Sequence, residues 1–193
     1  MAALLFNYDA HASVLRRFLL RAAAIMPEEA VPLVLENVRN EYGNGDYSRN
    51  HQLQLRDLAW KSGISPSEFF DSSVESGVKS FIKAATRYYC PKRKQFPDKM
   101  KAPAIVSGAI TATEILAIKE FAYLQKAFAR IGMENHHWFH HVTIELEHSD
   151  ESLELALYFI DRHGASESVK YGLQGVLDAN LQLYDGLLSA IQD

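Results

Sequence analysis

From Ala104 to Arg130 the chain is long, apolar and rich in alanine, with no proline to break it, and this stretch most limits what the fold can be. Such a segment is a helix, and one with so little polar surface belongs at the centre of a bundle. Its flanks repeat the helical pattern at shorter length. Over Ala12 to Met26, Val14, Leu15, Phe18, Leu19 and Ala22 recur every three or four residues. Pro27-Glu28-Glu29 then opens a second helix that stops at Gly43-Asn44-Gly45. Arg49 to Lys61 reads as a third helix, closed by Gly63, and Ser65-Pro66-Ser67-Glu68 starts a fourth that continues to about Tyr89. Pro97 and a group of lysines and arginines predict an exposed loop between Cys90 and Pro103. Beyond the apolar helix, a sixth is expected over Asn135 to His163 and a seventh over Ser166 to Ile191, parted by Gly164. No stretch alternates as a strand does. The expectation is an all-α seven-helix bundle filling residues 1–193 as one domain, a size at which 48% hydrophobic content builds a single core.

Charge and cysteine usage narrow the functional classes. A formal charge of −4 gives no basic field for nucleic acid, and no apolar run is read as a membrane span, so neither partner is expected. Met1 to Leu5 is too short for a secretory leader, and the expected location is cytoplasmic. The lone cysteine, Cys90, rules out an internal disulfide framework and a cysteine-built metal site, so any metal must be held by nitrogen and oxygen.

Five of the eight histidines fall between His136 and His148. On a helix, positions four and seven apart lie nearly above one another, so His141, Glu145 and His148 share a face, with His137 on the same stripe. Glu145 to His148 has the Glu-x-x-His spacing used in diiron bundles, and imidazole with carboxylate suits iron, manganese or zinc. A solvated polar face explains the same spacing equally well. Glu114, the sole acid between Lys101 and Lys119, adds a carboxylate where burial is expected, and such a group needs a partner or a metal. Glu41 and His51 flank the Gly-Asn-Gly turn and can point into one space, with Glu36 and Glu120 as alternative carboxylates.

Taken in order, these residues resemble the haem-oxygenase-like diiron oxidases and oxygenases, the iron-containing redox enzymes with a seven-helix fold. The resemblance spans about Leu35 to Ile160. It is carried by Glu-Asn-Val-Arg-Asn-Glu-Tyr-Gly-Asn-Gly (36–45), His51, Glu114 and Trp-Phe-His-His-Val-Thr-Ile-Glu-Leu-Glu-His (138–148). It implies metal ligands at Glu41, His51, Glu114, His141, Glu145 and His148, with Glu145 standing where the family usually has aspartate. It further implies Fe(II), two ions or one, with O2 as cosubstrate, and oxidation of a small carboxylate-bearing molecule such as an amino acid or fatty acid. Homodimers are an expectation for such a fold. Two rivals stay open: a metal-free thiamine-degrading type of hydrolase with Cys90 as nucleophile, and a non-catalytic helical interaction module.

Overall fold

In a computed structural model of the chain, the structure describes every residue except Arg93, Lys94, Asp98 and Asp193, and for His141 and residues 143–147 the backbone alone. The described residues form eight α-helices and no strand: α1 Ala2–Ile25, α2 Val31–Glu41, α3 His51–Lys61, α4 Pro66–Phe70, α5 Ser76–Tyr89, α6 Ala102–Phe128, α7 His141–Leu157 and α8 Ser166–Gln192.

The eighth helix comes from a break in the expected fourth. Ser65 and Glu68 form the reciprocal cap foreseen for its start, but the helix stops at Phe70. Asn7 of α1 grips the break, its side-chain amide donating to the Ser73 carbonyl (3.1 Å) and its Oδ1 accepting from the Glu75 N–H (2.7 Å). Those bonds satisfy backbone groups that a continuous helix would have used itself. The first helix also starts ten residues earlier than its expected boundary, at Ala2 rather than Ala12. The expected sixth is divided: residues 137–140 make a 3-10 turn, α7 begins at His141, and a π turn over Tyr158–Arg162 ends it before Gly164.

Helix α6 lies along α8 and α7 at the centre, as its composition requires. The α6–α8 crossing is a backbone contact. A Cβ on Gly108 would stand 1.9 Å from the Val169 carbonyl oxygen, and one on Gly172 1.8 Å from that of Ile105, so only glycine fits at either position. Gly77 of α5 meets Gly186 of α8 in the same way. By length and composition Ala102–Ile131 would also reach across a membrane, contrary to the expectation of no such run; 56% of that apolar window is buried within the bundle.

Candidate metal centre

Helix α2 carries its apolar stripe through Val34 and Val38, and the same face presents Asn37, buried, and Glu41, partly buried. Gly43, at φ 85, turns the chain out of α2; a side chain there would strike the Asp46 carbonyl. Asn50 then caps α3 by accepting from the Gln52 N–H at 3.0 Å, which places His51 in the first turn of that helix. The two sides of the turn meet: His51 Nδ1 lies 3.0 Å from Glu41 Oε1.

A second pair forms between α6 and α7. Glu114 is 6% exposed and His148 4%, and His148 Nδ1 stands 3.9 Å from Glu114 Oε2. The other carboxylate oxygen of Glu114 accepts from Asn37 Nδ2 at 2.8 Å, so its orientation is fixed from α2. Thr111 holds the register between α6 and α7 by donating its hydroxyl to the Ser152 carbonyl at 2.9 Å.

Glu41, His51 and Glu114 line one cavity of about 100 Å³, walled largely by apolar side chains including Leu15, Leu55, Phe81, Phe121 and Trp138. First-row divalent ions bond nitrogen and oxygen at ~2.1 Å, so ligand atoms on neighbouring octahedral vertices stand about 3.0 Å apart and on opposite ones about 4.2 Å. The 3.0 Å and 3.9 Å separations fall in that range. Imidazole nitrogen and carboxylate oxygen are also the donors iron accepts. Within each pair, donor type and spacing fit such an ion. His141 and Glu145, the remaining expected ligands, lie outside the residues whose side chains are described.

Of the alternative carboxylates, Glu36 faces solvent and pairs with Arg39 at 3.5 Å, whereas Glu120 lines the cavity and accepts from the Tyr184 hydroxyl at 3.4 Å. Cys90 does not line the cavity; its sulfur receives a hydrogen bond from Arg21 at 3.5 Å.

The helix expected over Ala12 to Met26 leaves out His11, the residue just before it. Buried in α1 between the edges of Tyr8 and Phe81, it lines the same cavity. Burial pushes its pKa down to about 4, outweighing a bond from Nδ1–H to the Asn7 carbonyl, so the ring is neutral. The spacing Leu5, Tyr8, Ala12, Leu15, Leu19 was the available signal for this face.

The expectation that His137 shares a stripe with His141 fails because the helix has not begun there. His136 and His137 instead turn to Asp57 of α3, with the three donor atoms within 4.8 Å of one another, close enough to share an ion. Their bonding describes a latch. His136 Nδ1 accepts from the Trp138 N–H (3.3 Å), so Nε2 carries the proton and donates it to Asp57 (3.0 Å), while Lys61 occupies the same carboxylate oxygen at 2.8 Å. Burial lowers the pKa of His136 against the pull of Asp57, and that of His137 with help from His136. The Asp57 pKa is also lowered: burial opposes this, but hydrogen bonds from Lys61 and His136 prevail. The latch ties α3, and with it His51, to the turn that leads into α7.

A second cleft, of about 430 Å³, is lined by Asn40, Asn44, Arg49, His137 and His140, and again by His51. One imidazole thus borders both spaces.

No curated protein matches the sequence closely enough to be named as a relative. A family model described as iron-containing redox enzyme matches residues 5–180, which include all six expected ligands and the helices that carry them. On that match, and with an all-α fold that pairs carboxylate with imidazole between α2 and α3 and again between α6 and α7, the chain belongs to the family of iron-containing redox enzymes.

Proposed function

We propose that the protein is a non-haem iron oxidoreductase that uses O2 to oxidise a small carboxylate-bearing molecule, an amino acid or a fatty acid. The iron would be held by Glu41, His51, Glu114 and His148, with His141 and Glu145 completing a site for two ions. The observation that carries this reading is convergence. Glu41, His51 and Glu114 come from three helices to line one apolar cavity, and His148 reaches Glu114 from a fourth. Iron supplies redox chemistry with dioxygen that none of these side chains provides. The chain's own work is positional. Asn37 fixes one oxygen of Glu114 and leaves the other toward His148, and the turn at Gly43 sets Glu41 against His51. Phe81, Phe121 and Trp138 give the chamber an apolar wall.

His148 and His136 are buried and so do not belong to a solvent-facing histidine stripe of the kind an interaction module would show, whereas His137 and His140 are exposed. The test is Fe(II) added without oxygen, with bound iron counted and absorbance followed as air is admitted, for wild type and for the His51→Ala and Glu114→Ala variants. Two irons per chain, with an oxygen-dependent absorbance change lost in both variants, is the expected result. One iron per chain would restrict the site to a single ion. Iron retained equally by both variants would place it elsewhere and sink the reading.

A further inference from the structure

The geometry points to Arg16 as the anion-binding residue of the chamber, the group that takes the carboxylate of the substrate. The inference rests on the reading of this cavity as the substrate chamber and adds to it the residue that selects the acid.

Arg16 lies on α1, is 8% exposed, and lines the cavity together with Glu41, His51 and Glu114. Its NH1 donates to Asn50 Oδ1 at 2.9 Å and its NH2 to Gln52 Oε1, and the guanidinium sits over the Tyr42 ring at 5.1 Å. Both acceptors are neutral amides. A guanidinium has five N–H donors, and these bonds fill two; the Nε–H is buried with no acceptor. Among the described residues no carboxylate forms an ion pair with it. Arg56, half-buried on α3, likewise leaves its Nε–H without an acceptor but has a carboxylate partner in Asp9 at 3.0 Å. A buried charge held by amides alone is incompletely compensated, and an anion of planar, two-oxygen geometry is its natural complement.

The position suits a substrate anchor. Asn50 and Gln52 are the neighbours of His51, so an acid held by Arg16 lies beside a proposed iron ligand, near the positive end of the α3 dipole. The lysine nearest the 90–103 loop's end, Lys101, is committed to the His163 carbonyl at 2.9 Å. Besides these polar neighbours the chamber wall carries Leu15, Leu19 and Leu55. The ligand that suits this pairing of cation and apolar wall is a carboxylate on an apolar body, such as a short-chain fatty acid or a small amino acid.

The experiment uses the full chain loaded with Zn(II), a redox-silent ion for the same donors, after its metal content has been counted. Butanoate and its uncharged counterpart butanamide are titrated calorimetrically into wild type, Arg16→Gln and Arg16→Lys. Wild type should bind butanoate at least tenfold more tightly than butanamide. Arg16→Gln should lose that preference while binding butanamide as before, and Arg16→Lys should keep part of it. In wild type, butanoate and not butanamide should shift the Arg16 Nε–H resonance, a readout that survives if the variants fail to fold. A preference that persists undiminished in Arg16→Gln, or an Nε–H resonance indifferent to butanoate, overturns the proposal even where metal is bound. Conversely, an Arg16-dependent preference in protein that holds no metal sustains the anchor and removes the iron reading.

Discussion

Asn37 binds no ion itself but decides which way Glu114 faces. It donates to one carboxylate oxygen across 2.8 Å and so leaves the other for His148. Asn37→Ala is expected to weaken iron binding by about 10–100-fold with the fold retained, measured by competition with a chelator. His11 makes a different kind of prediction. Its pKa is about 4 in the folded protein against an ordinary 6.5, so between those values the unfolded chain binds a proton that the native state refuses. Stability therefore falls as pH drops through that window, by on the order of 3 kcal/mol for a fully buried ring. Beyond the Asn7 carbonyl, the groups described as facing the ring are the uncharged edges of Tyr8 and Phe81, which offer the imidazolium no counterion. Urea titrations of metal-free protein at pH 7 and pH 4.5 should show the loss in wild type and a much flatter response in His11→Gln; equal slopes would remove the assignment.

Among the elements, the α6–α8 contact is the least forgiving. Gly172→Ala forces a Cβ to within 1.8 Å of a backbone oxygen and should cost about 3 kcal/mol or more, or prevent folding. Gly132→Ala offers the comparison, since its φ of 72 is strained for alanine but nothing lies within 4 Å; about 1 kcal/mol is expected there. Thermal melts of the two separate packing from backbone strain. The elements also show what the sequence could tell. Glycines 43, 63, 132 and 164 end helices where expected, each with positive φ, because that conformation is local chemistry. The break between α4 and α5 was not legible, since it is made by Asn7 from a distant helix. In the site, Glu41, His51 and Glu114 could be chosen by motif and isolation, and they line one space. Asn37, His11 and Arg16 could not, because an amide, a histidine and an arginine on helices declare no role until a cavity lies beside them.

For the molecule as a whole, the proposed ligands come from α2, α3, α6 and α7, so an ion bound among them ties together parts of the chain far apart in sequence. Ligand binding stabilises the native state by about 2.7 kcal/mol at a hundredfold excess over the dissociation constant. Fe(II) without oxygen should accordingly raise the melting temperature by several degrees and slow amide exchange in α2 and α3 together. A rise confined to one helix would contradict a shared centre.

His51 lines both the cleft and the chamber. Shortening that side chain to glycine should open each space toward the other as it removes the ring nitrogen. Free imidazole in the buffer should then fill the gap and restore both, a rescue read as recovered iron binding.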